Sequence, residues 1–454
     1  MMQQIVSSGY CIGCGACQVV DEGIEIVLNS QGMYQARLES ASEKGLALAE
    51  KVCPFSNKGP HEDEIGAEMF GNACQKDIRI GYYRSLFIGY VAEGDFREKA
   101  TSGGLISWIC SELLQQGLAD RVLHVKKCDR ANDGRLFKYG VSTTPEGVMV
   151  GAKSRYYPVE MSEVLRVIRE VPGNYVVVGL PCFIKAVRRL MRIDPVYQER
   201  IKYSIGLVCG HLKSAAFADS FAWEAGIEPG ALEDIDFRVK QSDAPASNYA
   251  MYLQGGGYKL VRPTREFLGA NWGHNFFRYE ACDYCDDVFA ETADIAIGDA
   301  WLPQYDQDPK GTSVVIVRNE RLHDLIENAR SEGRLCLADS EADEVACSQS
   351  GGLRDRRQGL AYRLFLKKKK KMWVPNKRVC PGTSGVSYTR RKIYRHRMLM
   401  REASHQFWGE AVFSSSYDVF ECGMRKLITK NNKIYKSPIS RAGRLLKKTA
   451  DLFS

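Results

Sequence analysis

Several things are missing from this sequence, and each absence removes a class of function. No run approaches the eighteen or more uncharged apolar residues that cross a bilayer, and the opening MMQQIVSSGYC has neither the basic start nor the apolar stretch of a secretory leader. The expected setting is therefore the cytoplasm. Histidine is scarce, seven in 454 residues, and the seven show no HxxxH or HExxH spacing, which excludes the usual zinc-hydrolase arrangement. There is no GxSxG elbow and no GxxxxGK[ST] loop, so neither a serine-hydrolase nucleophile nor a P-loop is available. No internal repeat of constant period occurs, and no specific nucleic-acid partner is expected.

Cysteine, by contrast, is plentiful. Fifteen in a cytoplasmic chain argue against structural disulfides and for metal binding or redox work. The length calls for two or three domains, and 44% hydrophobic residues suffice to build them. The net charge of +8 is unevenly spread: residues 354–454 hold 26 Lys+Arg against 6 Asp+Glu, leaving 37 against 49 for residues 1–353. Three segments follow. Residues 1–75 hold a cysteine triplet, a GIEIVLNSQGMYQARL stretch that reads as a hairpin, and KVCPFS. Residues 76–350 alternate short β-rich runs with amphipathic helices, the pattern of an α/β body, with QGGGYKL as a turn and VKQSDAPASN as a loop insertion. Residues 351–454 form a basic extension, read as helical at its end, SRAGRLLKKTADLF. That extension reads first as a solvated charged helix or a disordered end, and second as a surface for anionic lipid at the inner face of the membrane.

The triplet is CIGCGAC, with Cys11, Cys14 and Cys17 at three-residue intervals among small residues, and Cys53 stands before Pro54 in KVCPF. A CxxCxxC loop with a Cys-Pro from elsewhere is the spacing of a bacterial [4Fe–4S] site, and Gly13 and Gly15 would let backbone N–H groups approach the sulfurs. A zinc site is the alternative, but zinc knuckles pair CxxC with a second CxxC or with histidines, and none lies nearby. Cys74 is the spare thiol of this segment.

Four more cysteines follow strand-like runs in the body: Cys182 in VVVGLPC, Cys209 in IGLVCG, and Cys282 with Cys285 in CDYC. Loops at strand ends are where α/β sheets place ligands, so the four can converge on a second cluster; buried packing cysteines, zinc or a redox dithiol remain alternatives. The TSGG stretch, Thr101, Ser102, Gly103 and Gly104, precedes the apolar helix LISWICSELL. It suits either a pyrophosphate at a helix N-terminus or an ordinary capped turn. Asp299 in AIGDAW follows a strand, where a carboxylate meets a cofactor or simply forms a turn. His211 and His274 are candidate proton donors, with a structural role as the commoner fate.

Taken in order, the cysteine-rich head, ATSGGLISWI, KSRYYP, VGLPCFIKAVRRL, IGLVCGH, CDYCDDVFAETADIAIGDAW and KGTSVVIVRN resemble the coenzyme F420 hydrogenase/dehydrogenase beta-subunit family over roughly residues 8–330. The resemblance implies a small ferredoxin-like domain before a mixed α/β flavin-binding body, two [4Fe–4S] clusters and FAD. It makes Cys182, Cys209, Cys282 and Cys285 the ligands of the second cluster, and Thr101, Ser102, Gly103, Gly104, Arg155 and Asp299 flavin contacts. It further implies an oxidoreductase that exchanges electrons with ferredoxin or an iron–sulfur partner subunit and serves a small-molecule acceptor. That acceptor is coenzyme F420 or another organic compound, a setting in surface-polysaccharide metabolism included. A non-catalytic electron-transfer or scaffold subunit is the competing expectation.

Overall fold

The computed structural model describes residues 1–436; the stretch SRAGRLLKKTADLF lies outside them. At its centre is an eight-stranded sheet in the order Leu335–Asp339, Ser85–Val91, Ser313–Val317, Ile295–Asp299, Ile201–Leu207, Tyr175–Gly179, Arg121–Lys127, Phe137–Ser142. The four strands from Ile295–Asp299 to Arg121–Lys127 run parallel, and the flanking strands pair antiparallel, so the body is mixed α/β. Valine and isoleucine dominate these strands because both faces are covered. Val176 and Val178 face a layer with Trp108, Leu322 and Ile326, and Tyr175 and Val177 face the layer of Phe183, Ile184 and Val187. Helices Leu105–Gln115 and Glu320–Ser331 close the first face, and helix Pro181–Ile193 closes the second.

Parallel strands deliver their loops to one edge. Cys182 follows Tyr175–Gly179 there, Cys209 follows Ile201–Leu207, and Asp299 ends its own strand. The N-terminal segment forms the expected hairpin, Glu25–Leu28 against Tyr34–Arg37, closed by Asn29, whose side-chain oxygen accepts the N–H groups of Gln31 and Met33. Helix Glu43–Val52, capped by Ser42, stops at Cys53, since Pro54 cannot extend it. The Gly256–Gly257 pair, both at positive φ, turns the hairpin Ala250–Gly255/Tyr258–Pro263.

The described part of the C-terminal segment is helical and packs on the body, while the end read as a solvated charged helix lies outside it. A π-helical turn, Asp355–Gly359, joins helices Ser350–Arg354 and Leu360–Lys369, and the pair Tyr388–Ser414 and Tyr417–Lys436 packs back on the body. Phe420 stacks on Phe277 with ring centroids 5.4 Å apart and meets Trp408 edge-on at 5.7 Å. Arg356, Arg363 and Arg401 are buried, while Lys368 to Lys371 stay exposed. Among the described residues no helix is long and apolar enough to cross a membrane. Phe420→Ala should cost about 3–5 kcal/mol at this contact, read as earlier protease cleavage within residues 388–436 and a lower melting midpoint.

Candidate functional site

Cys11, Cys14, Cys17 and Cys53 line one small apolar cavity with Ile5, Ile12, Pro54 and Phe55. The loop closes this tightly because of its glycines. Gly13 has φ +60°, and a Cβ there would stand 2.3 Å from Tyr34 Cβ; Gly15 has φ +88°, and a Cβ there would stand 2.5 Å from the Ser162 nitrogen. The N–H groups of Gly13 and Ala36 donate to the Cys11 sulfur at 3.4 and 3.3 Å. Burial pushes up all four thiols, Cys53 to about 11, and Cys17 feels the charge of Cys14, Cys11 and Cys53 besides. Arg189 anchors the Cys53 loop, donating to the carbonyl oxygens of Cys53, Ser56, Gly59 and Pro60. Cys74 lies apart, its thiol on the Arg318 carbonyl at 3.3 Å. Beyond Cys11 opens a larger cavity, about 350 Å³, lined among others by Met33, Gln35, Arg401 and His405.

The second four thiols lie near enough to one another to interact electrostatically. Burial holds Cys182 well above the ordinary thiol range, and the charges of Cys285, Cys209 and Cys282 add to it, as does that of Cys14 in the head. The Leu212 N–H donates to the Cys282 sulfur at 3.3 Å, and the Cys285 thiol donates to the Asp287 carbonyl at 3.4 Å. Thiols pushed up by burial, as Cys182, Cys209 and Cys282 are, ionise only where a cationic centre takes the proton's place, which fits a metal-bearing group. One zinc ion would need sulfurs roughly 4 Å apart around Zn–S bonds of about 2.3 Å. Among the described residues no three Cys, His, Asp or Glu side chains stand close enough to hold a single ion.

Thr101 to Gly104 run along the same sheet edge. Thr101 and Ser154 share a hydroxyl hydrogen bond at 2.9 Å, Ser102 donates to the Thr312 carbonyl at 2.9 Å, and the Gly103 N–H donates to Ser313 Oγ at 3.1 Å. Gly104, at φ +89°, caps helix Leu105–Gln115 without a side-chain bond, and a Cβ on it would meet the Phe96 backbone at 2.8 Å. A Cβ on Gly103 would likewise stand 2.7 Å from the Gly89 carbonyl oxygen, so close backbone packing requires both glycines. Around this loop stand cations that the sequence reading did not single out. Lys240 donates to the Ser102 carbonyl at 3.1 Å, and burial, then Arg97, Lys153 and Arg238, bring its pKa down to about 8. It sits in VKQSDAPASN, where only a loop insertion was legible.

Arg155 is mostly buried with its guanidinium 4.8 Å from the Phe137 ring centre, bonded to the Ala152 carbonyl at 3.3 Å, with Nε unpartnered. Asp299 is engaged by Arg238 through two bonds of 2.9 and 3.0 Å. Lys153, between Ser154 and the sheet, takes φ +120°, a region that a lysine rarely occupies. An aromatic bridge leads from this cradle to the second thiols. Tyr156 meets Trp272 at 4.8 Å, Trp272 meets His211 at 4.5 Å, and Lys213, buried beside Cys282, lies 5.0 Å from the Trp272 ring centre. Burial keeps His211 and His274 neutral, His274 down to about 4.

The body is thus mixed α/β, with the inner thiols and the Thr101–Gly104 loop at one sheet edge. Residues 86–166 match the model for the N-terminal part of the coenzyme F420 hydrogenase/dehydrogenase beta subunit, and residues 173–343 match the model for the C terminus of that same beta subunit. The chain belongs to the coenzyme F420 hydrogenase/dehydrogenase beta-subunit family. It is 24% identical over 337 residues to the coenzyme F420-dependent sulfite reductase of Methanocaldococcus jannaschii, covering 70% of this chain and 46% of that protein. It is 24% identical over 235 residues to the F420-dependent formate dehydrogenase subunit beta of the same organism, covering 52% of this chain and 56% of the other. The chain thus spans about half the length of these curated relatives. A chain in a structure of the F420-reducing [NiFe] hydrogenase complex from Methanosarcina barkeri aligns with TM-score 0.49 and 16% identity, over 68% of this chain and 100% of that one. The head with its four cysteines and the segment after residue 343 lie outside both matched regions.

Gly13→Ala is expected to destabilise the head by about 1–2 kcal/mol from its left-handed backbone alone, and by more from the contact with Tyr34. A lower thermal midpoint with the body's far-UV signal retained is the readout.

Proposed function

We propose that the chain is an iron–sulfur flavoprotein oxidoreductase that moves electrons between a one-electron donor, ferredoxin or a partner subunit, and a small organic acceptor. Cys11, Cys14, Cys17 and Cys53 would hold one [4Fe–4S] cluster, Cys182, Cys209, Cys282 and Cys285 a second, and the Thr101–Gly104 loop with Arg155 and Lys240 an FAD. When bound, the clusters supply one-electron steps and the flavin supplies the two-electron step.

The observation that carries this reading is adjacency. The Cys182 thiol is near enough to Cys14 to feel its charge, and Trp272 links the surroundings of Cys282 to Tyr156 beside the cradle. These neighbours support an electron path from head to inner thiols to cradle, with the cavity beside Cys11 at the outer end. Backbone N–H groups aimed at Cys11 and Cys282 would offset negative charge on the sulfurs. Arg155 and Lys240, partly buried cations without a carboxylate in ion-pair contact among the described residues, suit the two charges of a pyrophosphate. The names of the relatives, both F420-dependent, support coenzyme F420, or a compound accepting two electrons in the same manner, as the acceptor.

Anaerobic purification with iron, sulfide and flavin analysis tests the proposal. About eight irons and one flavin per chain are expected, four irons for each cubane. About four irons without flavin, or a colourless zinc protein, would overturn it. Cys14→Ser should remove about four irons and leave flavin bound; loss of the flavin as well would mean that the head and the cradle do not load independently.

A further inference from the structure

Most cations buried around the inner thiols are already neutralised. Arg278 pairs with Asp283 at 3.4 Å and Asp355 at 3.2 Å, Arg363 with Asp355 at 3.1 Å, Lys377 with Asp286 at 3.3 Å, and Arg401 with Asp283 at 3.3 Å. Arg356 is different. It is 2% exposed and lies on the π-helical turn Asp355–Gly359. Its Nη2 donates to the carbonyl oxygens of Cys209 and Gly210 at 2.8 and 2.7 Å, and its Nε has no partner. Among the described residues no carboxylate is in ion-pair contact with it. Burial opposes its charge, and what favours the charge most is thiolate at Cys285 and then Cys209, ahead of Asp355. Lys213, 1% exposed and donating to the Phe276 carbonyl at 2.5 Å, is not a second such cation, since burial and then Arg278 push its pKa well below the ordinary lysine range.

A guanidinium stays charged in proteins, and leaving such a charge buried without a counter-ion costs several kcal/mol. With a cluster bound, the sulfurs of Cys285 and Cys209 would be the negative charges acting most strongly on Arg356. A [4Fe–4S] core bound by four thiolates carries net negative charge in both of its working states, and each added electron deepens it. A fixed cation in contact with the ligand loop therefore favours the reduced state, and cluster potentials respond to local charge of this kind.

We propose that Arg356 is the counter-cation of the inner cysteine set and sets the reduction potential of the group held there, so that the C-terminal segment tunes the redox centre of the body. The proposal rests on the cluster reading above. It makes the π-helical turn part of the redox machinery although it lies beyond the matched family regions, and such turns recur at functional sites.

The test is an EPR-monitored redox titration of the full chain, purified anaerobically, with iron counted on each sample. In Arg356→Gln, one of the two cluster signals should fall by at least a tenfold change in its reduction equilibrium, 59 mV for one electron, while the other, from the head, stays in place. Arg356→Lys keeps the charge and should stay near the wild type, which reads the proposal even where Arg356→Gln fails to retain iron. Full iron with both signals unmoved, or with both shifted equally, would overturn the counter-cation role alone. A wild-type chain with only about four irons would instead overturn the cluster reading beneath it.

Discussion

Helix Pro181–Ile193 carries Cys182 in its first turn and three cations, Lys185, Arg188 and Arg189, each under 5% exposed. Each has a different anchor. Lys185 pairs with Glu62 of the head at 3.0 Å, Arg188 pairs with Asp294 of the sheet at 2.7 Å, and Arg189 binds the carbonyls of the Cys53 loop. Burial works against the Glu62 carboxylate, but Lys185, Arg378 and Lys377 hold its pKa well below the ordinary range. Buried pairs add little net stability, yet removing one partner costs about 3–5 kcal/mol, so they specify position more than they strengthen. Through this one helix the inner thiol Cys182 and the outer thiol Cys53 are held in a common frame.

The C-terminal segment extends that frame to the other side of the thiols. CDYCDD places Asp283, Asp286 and Asp287 around two cysteines, an arrangement that by itself would repel the ionised sulfurs. Arg363, Arg401, Lys377 and Arg378 arrive from residues 363–401 and bind Asp283 and Asp286. Much of the segment's positive charge is therefore spent inside the protein, against carboxylates of the body and of the head, Glu291 and Asp63 included. Trp373 stands on Tyr10, the residue before Cys11, at 5.4 Å. A segment that looks in the sequence like an appendage encloses both sets of thiols.

The parts that could be read from the sequence are local ones. Strands such as YVVVG and SVVIV are recognisable because a strand buried on both faces needs β-branched residues throughout, and the Gly-Gly hairpin because only such residues favour its positive φ values. Cys53 could be assigned to Cys11, Cys14 and Cys17 because that spacing with a following proline has few other uses. The second set needed the resemblance to a family, since four cysteines dispersed over residues 182–285 have no spacing of their own. Lys240 and Arg356 were illegible: one sits in a loop that looked like an insertion, the other in a run of basic residues with nothing to separate it from its neighbours.

The sequence by itself determined which residues are strands, which turns require glycine, and that thiols dominate the chemistry, because these follow from short-range backbone sterics and side-chain type. Only the tertiary structure decided which charges are paired and which are left facing the thiols. Arg363 and Arg356 are seven residues apart in one basic stretch. The first is neutralised by Asp355 eight positions away, and the second reaches Cys209 across a separation of 147 residues. Coulomb energy in a buried site depends on the nearest opposite charge in space, and that neighbour is defined only when the chain has closed on itself.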